Sequence, residues 1–267
     1  MSLLTDDPTN ILDGHQRLDL LGVRVSDISI PRALAVIDGW VNSRHKTYVC
    51  VAPVSTLVDC QKNENYRNIV NRAGMVTPDG MPVVWLGRAK GSQTIERTYG
   101  PDLLTAICEA KSDRSYRHFF YGGTSQTLDR LHERLRAKTP GLNIVGKISP
   151  DFTPHARRES DDVIERINRA KPDILWVGLG SPKQDFWMNM HRPLLDAPVM
   201  IAVGAAFDFI SGTKPQAPLW MRRSGLEWTF RLWHEPRRLW KRYLIGNSAF
   251  IYYVCRDGIR NFLKTSS

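Results

Sequence analysis

Short β-rich runs alternate with longer stretches of helical periodicity along most of this 267-residue chain. The runs predict strands at Leu20–Val25, Tyr48–Ala52, Met75–Thr77, His118–Tyr121, Asn143–Ile148, Ile174–Val177 and Val199–Val203. The stretches between them predict helices at Pro31–Val41, Ser55–Asn71, Gly100–Lys111, Ser125–Lys138, Ser160–Ala170 and Pro182–Met190. Because a crossover helix joins two parallel strands, this alternation predicts a Rossmann-like α/β fold, a mainly parallel sheet flanked by helices.

The last fifty or so residues have a different character, because the strand runs stop and basic and aromatic residues interleave. From Lys214 onward eleven basic residues stand against three acidic ones, so this segment holds +8 of the net charge of +10. We therefore expect two parts: a catalytic domain over residues 1–213 and a basic amphipathic helical appendage over residues 214–267. A basic segment on a nearly neutral body predicts an anionic partner, which is a nucleic acid, a membrane surface or substrate phosphate.

The appendage shows a helical pattern of its own. Pro236 is expected to end one helix at Glu235 and to start the next, since proline lacks a backbone donor and crowds the preceding turn. A helical wheel at 100° per residue separates a basic arc from an apolar one, with Arg237, Arg238, Lys241 and Arg242 opposite Leu239, Trp240, Tyr243 and Leu244. The apolar stretch Leu244–Cys255 is too short to span a bilayer, which needs about 20 residues.

The four cysteines lie far apart without a C-x-x-C pair, and the amino terminus MSLLTDDPTN has no features of a signal peptide. Both observations predict a reducing, cytoplasmic environment. The histidines and acids show no metal-ligand spacing, so we expect no metal and no cofactor.

Asp79 stands in a Pro-Asp-Gly turn directly after a predicted strand, with Gly80 behind it. Loops at the carboxyl ends of parallel strands bind ligands in open α/β sheets, so Asp79 is a candidate base. Pro-Asp-Gly is also a common turn without any chemistry, and the residues alone favour that interpretation.

The segment G-L-G-S-P-K-Q-D begins at Gly178 and opens a helix at Pro182. Gly178 and Gly180 would let the backbone approach a ligand, and Lys183 and Gln184 would face it from the helix amino terminus. The segment fails as a dinucleotide fingerprint, because Lys183 replaces the third glycine. A solvated helix cap is the alternative for both polar side chains.

Several arginines are candidates for binding phosphate. Arg97 could pair with a diphosphate or with a surface acid, and the residues alone favour the surface acid. Arg231, Arg238 and Arg242 could coordinate phosphate, face a membrane, or do both, and their aromatic neighbours favour an interface.

Five ordered motifs together resemble the WecG/TagA/CpsF family of bacterial glycosyltransferases, over roughly Leu18 to Ile259. They are T-P-D-G-M-P-V-V-W-L from Thr77, R-T-Y-G-P-D-L from Arg97, G-L-G-S-P-K-Q-D-F-W from Gly178, G-A-A-F-D-F-I-S-G from Gly204, and A-P-L-W-M…G-L-E-W…R-L…E-P-R-R…R-Y-L from Ala217. This family contains N-acetylmannosaminyl, N-acetylmannosaminuronosyl and glucosyl transferases that extend undecaprenyl-diphosphate-linked sugars.

The resemblance implies a function and roles for the residues. It implies inverting, metal-independent transfer of a hexose from a UDP-sugar to an undecaprenyl-diphosphate-linked sugar, at the inner face of the plasma membrane. Asp79 would be the general base, with Arg97 and Gln184 at active-site positions. Arg231 and Arg238 match arginines of an appendage that closes over the site, binds phosphate and contacts an anionic membrane.

One stretch departs from the family pattern: Val51-Ala52-Pro53 stands where members often carry Thr-x-Asn near the sugar. The donor therefore stays open between N-acetylmannosamine and glucose, with Ser55 and Thr56 as substitutes for the missing hydrogen-bonding groups. Two functions of other classes also stay open, a basic nucleic-acid-binding protein and a nucleotide-cofactor oxidoreductase on a Rossmann-like body.

Overall fold

The computed structural model describes residues 15–110 and 115–265, with side chains up to residue 259. A six-stranded parallel sheet forms its centre, in the strand order β4-β3-β8-β7-β5-β6. A separate antiparallel pair, β1 and β2, precedes it. The strands are β1 Arg17–Leu20, β2 Val23–Ser26, β3 Thr47–Ala52, β4 Met75–Pro78, β5 Arg117–Gly122, β6 Asn143–Ile148, β7 Ile174–Gly178 and β8 Val199–Ala202.

Helices cover both faces of the sheet and continue into the carboxyl-terminal appendage. They are α1 Ile30–Asn42, α2 Val54–Lys62, α3 Glu64–Asn71, α4 Met81–Ala89, α5 Gly100–Glu109, α6 Ser125–Lys138, α7 Asp161–Arg169, α8 Lys183–His191, α9 Ala206–Ser211, α10 Leu219–Arg223, α11 Glu227–His234, α12 Pro236–Trp240 and α13 Gly246–Thr265. One π-helical turn, Lys241–Ile245, joins α12 to α13. The predicted Rossmann-like α/β fold is confirmed.

Alternate side chains of the central strands enter two separate cores. Leu175 and Val177 of β7 pack on one face with α2, α3, α4, α7 and α8, while Ile174 and Trp176 pack on the other with α1, α5, α6 and α9. A strand that is buried on both faces needs apolar residues at every position, and β7 begins with four such residues.

The chain leaves the neighbouring strands β3 and β8 toward opposite faces. After β3 it enters α2 on the first face, and after β8 it enters α9 on the second. Such a divergence opens a crevice at the carboxyl end of a parallel sheet, and ligands bind there in open α/β folds.

The predicted strand Leu20–Val25 is wrong, because the chain turns within it. Leu21 and Gly22 both adopt positive φ, at 59° and 75°, and the turn folds β2 back on β1. Two positive φ angles are typical of a tight hairpin turn. The apolar residues on either side of this turn gave the appearance of one strand.

The helix predicted over Ser55–Asn71 divides in two at Asn63, whose side chain accepts a hydrogen bond from the Tyr66 amide and caps α3. Helices α4 and α9 were not predicted. Lys111, the expected last residue of another helix, and the amino-terminal decapeptide lie outside the described residues.

The appendage packs against the body through buried side chains and ion pairs. Leu239 and Phe250 are 1% and 9% exposed, and Phe250 belongs to the first core. Lys90, directly after α4, pairs with Asp257 on α13 at 2.7 Å. None of the described helices combines the length and the apolar content that a bilayer crossing needs.

The two arcs drawn for the appendage do not form two separate surfaces in the structure. Leu239 is buried whereas Trp240 is 44% exposed, and Arg242 and Tyr243 line the same cavity although they were placed on opposite arcs. The π-helical turn has more residues per turn than an α-helix, so a spacing of 100° per residue does not hold across it.

Gly122, at the end of β5, lies where the backbones of β5 and β7 approach closely, and a substitution there tests this approach. Its φ is +118°, and a β-carbon there would lie 2.5 Å from the Gly178 carbonyl oxygen. We expect Gly122→Ala to lower the free energy of unfolding by about 2–4 kcal/mol, measured by urea denaturation. Gly141→Ala, where a β-carbon would meet nothing within 4 Å, is the control and should change it little.

Candidate active site

A cavity of about 490 Å³ lies at the carboxyl ends of β4, β3, β8 and β7. The body contributes loops that follow these strands, together with α4 and the segment Arg97–Pro101. The appendage contributes α11, the π-helical turn and the start of α13. The cavity therefore occupies the predicted crevice, and both parts of the chain form its walls.

Asp79 lies at the base of this cavity, directly after β4. Its amide donates to the Ala52 carbonyl at 3.3 Å, and the Thr98 amide donates to the Pro78 carbonyl at 2.9 Å. Gly80 follows and caps α4, with Pro82 in the first turn of that helix. Hydrogen bonds with two neighbouring segments thus hold this turn in place. An isolated Pro-Asp-Gly turn would not have these bonds.

The Asp79 carboxyl is half-buried, and its Oδ1 atom has no hydrogen-bond partner among the described groups. Loss of water raises the pKa of Asp79 to about 7. Arg97, Arg231 and Arg242 lower that pKa and Glu227 raises it, but burial, the largest effect, outweighs the three arginines. A carboxyl group with a pKa near neutrality is suited to proton transfer.

Arg97 lines the cavity but does not pair with a surface acid. Its Nη2 binds Glu227 of α11, and its Nη1 donates to the Arg222 carbonyl at 3.2 Å. Its guanidinium group also lies 4.1 Å over the ring centre of Tyr99. Arg97 therefore connects the body to the appendage.

Gln184 is 1% exposed and joins two of the loops around the cavity. Its Oε1 accepts from the amides of Gly180 at 3.1 Å and Gly204 at 3.0 Å, and its Nε2 donates to Ser181 Oγ at 3.1 Å. Gly180 and Gly204 have φ angles of +78° and +54°, which glycine adopts without strain. These bonds fix the loops after β7 and β8 relative to each other.

The three predicted appendage arginines, Arg231, Arg238 and Arg242, all line the cavity. Arg242 donates from Nε and from a terminal nitrogen to Ser55 Oγ, at 3.1 and 2.7 Å. Arg238 pairs with Glu235 and keeps about half of its surface exposed. The cavity is thus rich in positive charge on the side that the appendage supplies.

Two of the predicted ligand-facing residues lie elsewhere. Lys183 donates to the Thr153 carbonyl at 2.6 Å and does not line the cavity, because it points to the other side of α8 from Gln184. Gly178 packs under Phe207, which would lie 2.4 Å from an added β-carbon. The structure therefore corrects both expectations from the sequence. The reason is that neighbouring positions on a helix or strand point in different directions.

Sequence reasoning missed Glu227 and Tyr99, which lie within the G-L-E-W and R-T-Y motifs. It also missed Asp185, a buried carboxyl that accepts from the Tyr66 hydroxyl at 2.7 Å behind the cavity wall. Val51 and Pro53 line the cavity at the departing stretch, as does Ser55, whereas Thr56 does not. Only the position of Glu227 two residues after a turn glycine, Gly225, offered a signal.

The described residues contain no group of three or more histidine, cysteine, aspartate or glutamate side chains placed to hold a metal ion. The positively charged side chains that line the cavity are arginines.

The raised pKa of Asp79 predicts a cost in stability. Its folded pKa lies above the ordinary value, so the stability that this group contributes is complete at low pH and is lost as pH rises from about 4 to about 7. We expect Asp79→Asn to raise the free energy of unfolding above pH 7 by on the order of 2 kcal/mol, with a smaller gain at pH 5. Asp151→Asn, on an exposed loop, should show no such trend in the same denaturation series.

The chain is similar to known proteins over most of its length. The model of the glycosyl transferase WecG/TagA/CpsF family matches residues 18–263. An N-acetylglucosaminyldiphosphoundecaprenol N-acetyl-beta-D-mannosaminyltransferase of Bacillus spizizenii is 30% identical over 205 residues, 77% of each chain. Proteins of the same name from Bacillus subtilis and Staphylococcus aureus (strain MW2) are 30% identical over 68% of this chain and 69% of theirs, and 23% identical over 90% and 92%. The chain belongs to the WecG/TagA/CpsF family of glycosyltransferases.

Proposed function

We propose that this protein transfers a hexose from a UDP-sugar, with inversion, to a sugar linked to polyprenyl diphosphate. The observation that carries the proposal is the unpartnered carboxyl oxygen of Asp79 in a cavity lined by appendage arginines. The names of the relatives describe an undecaprenyl-diphosphate-linked acceptor. Family membership favours glycosyl transfer over nucleic-acid binding and over cofactor-dependent oxidation.

In the proposed reaction Asp79 is the general base. It takes the proton of the acceptor hydroxyl while that oxygen forms a bond to the anomeric carbon. The bond from this carbon to the UDP oxygen breaks, and UDP leaves with the electron pair. Among the described carboxyl groups of the cavity, Asp79 is free to act and Glu227 is engaged, which fits a single displacement.

The leaving diphosphate carries charge that must be stabilised. Arg231, Arg238 and Arg242 line the cavity and supply positive charge without a metal ion, so we propose metal-independent transfer with no cofactor. Gly180 and Ser181, in the loop before α8, line the same cavity. Gln184 holds that loop in position.

For the sugar that is transferred, we propose only its chemical class. Val51 and Pro53 present an apolar wall there, and the Ser55 hydroxyl is bonded to Arg242. The donor we propose is a UDP-hexose, of the N-acetylmannosamine type or glucose.

We also propose that the appendage binds an anionic membrane from the cytoplasmic side, where the acceptor lipid is held. It exposes large apolar side chains beside its basic residues, which are typical of an interfacial surface. They are Leu219, Trp220, Leu226, Trp233, Trp240, Leu244, Ile245, Ile251, Tyr252 and Ile259, each at least 40% exposed.

The base is tested by Asp79→Asn. The amide cannot accept the proton, so we expect turnover to fall by at least about 10²-fold while UDP binding, measured by calorimetry, stays nearly unchanged. The donor is identified by incubating the enzyme with each of several UDP-sugars in the presence of EDTA and measuring product formation by mass spectrometry. Normal turnover in Asp79→Asn would contradict the assignment, and dependence on added Mg²⁺ would contradict metal-independent transfer.

The membrane surface is tested with Trp233→Ala, since this side chain is 86% exposed and its removal should not disturb the fold. We expect about tenfold weaker sedimentation with vesicles of phosphatidylglycerol and phosphatidylethanolamine. Phe152→Ala is the matched control, because Phe152 is 91% exposed on the body, and it should sediment like the wild type. Equal behaviour of the two variants would refute the assignment.

A further inference from the structure

Glu227 joins the appendage to the body through two side-chain contacts beside the cavity. Its Oε2 pairs with Arg97, and its Oε1 accepts from the Tyr99 hydroxyl at 2.9 Å. The side chains of Glu227 and Arg97 are each only 13% exposed. Both carboxylate oxygens are thus engaged by one body segment, away from bulk water.

Arg97 is engaged by three groups of the protein. Its two terminal nitrogens bind Glu227 and the Arg222 carbonyl, and its face stacks on Tyr99. Its positive charge is compensated inside the protein, so it is not presented freely to a substrate diphosphate. An ion pair at this depth has a defined geometry and is costly to break on one side only.

The contact also fixes the direction of α11. Glu227 and Arg231 are four residues apart on this helix and therefore share a face, and both line the cavity with Trp228 between them. The chain then continues through α12 to Arg238 and Arg242. A shift of α11 would move these three guanidinium groups together.

We propose that Glu227 is a positioning residue, whose contact with Arg97 and Tyr99 holds α11 against the body so that Arg231, Arg238 and Arg242 face the substrate diphosphate. This inference rests on the proposed function for the identity of the ligand. It assigns Arg97 an action through Glu227, rather than a direct contact with phosphate.

The two roles of Arg97 predict opposite effects of Glu227→Gln. If Arg97 bound phosphate directly, Glu227 would compete with the diphosphate, and its neutralisation would tighten UDP binding. If Glu227 positions the appendage, the same change weakens UDP binding although it removes a negative charge from the cavity.

The first experiment is calorimetric titration of UDP into the full-length variants. We expect Glu227→Gln to weaken UDP binding on the order of tenfold and to raise KM for the donor more than it lowers kcat. Asp257→Asn is the matched control, because it also removes a body–appendage ion pair, with Lys90, but Asp257 does not line the cavity. Unchanged or tighter binding in Glu227→Gln would overturn the proposal.

A double-mutant cycle with Arg97→Met tests whether Arg97 acts through Glu227. We expect the double variant to bind UDP about as weakly as either single variant, since both remove one contact. Additive effects would overturn the inference. If Glu227→Gln does not fold, Tyr99→Phe is the milder variant to use, because it removes only the hydroxyl that binds Glu227. We expect it to weaken UDP binding by a few-fold.

Hydrogen exchange separates this proposal from the proposed function. Amides of α11 should exchange faster in Glu227→Gln than in the wild type and in Asp257→Asn, with no ligand present. If wild-type protein fails to bind UDP while α11 still loosens, the proposed donor is wrong and the positioning contact stands. If α11 exchange is unchanged, the positioning role is wrong whatever the donor.

Discussion

The electrostatic interaction of the Asp79 carboxyl with the arginines that line the same cavity is the one on which the site depends. Loss of water disfavours the ionised carboxylate, and Arg97, Arg231 and Arg242 partly offset this effect. Two of these arginines belong to the appendage, so the electrostatics of the cavity require the appendage to pack on the body. The balance stays near neutrality because burial opposes ionisation while the arginines favour it.

The sheet supplies the rigid part of the site. Chain departure to opposite faces after β3 and β8 opens the crevice, and Gln184 bonds to amides of the loops after β7 and β8 hold its rim. The appendage completes the other wall. One arginine there, Arg242, reaches Ser55 on α2, next to the stretch where the sequence departs from its family.

The central strands could be predicted to within about a residue, because strands buried on both faces are short apolar runs between helices. The hairpin at Leu21 and Gly22 was missed, since its turn lies within an apolar run. Asp79, Gln184, Arg231, Arg238 and Arg242, which the sequence analysis singled out, were found around one cavity in the structure. Lys183 was not, because adjacent residues on α8 face different sides, and the π-helical turn defeated a wheel drawn at fixed spacing.

The sequence by itself determined the α/β class, the order of the central strands, the concentration of charge in the appendage and the family motifs. These follow from local periodicity and composition, which act over a few residues. Only the tertiary structure decided that Arg97 meets Glu227 across 130 positions and Arg242 meets Ser55 across 187. Such contacts depend on how helices cross the sheet and on the turn at Lys241–Ile245, and packing of the whole chain determines both.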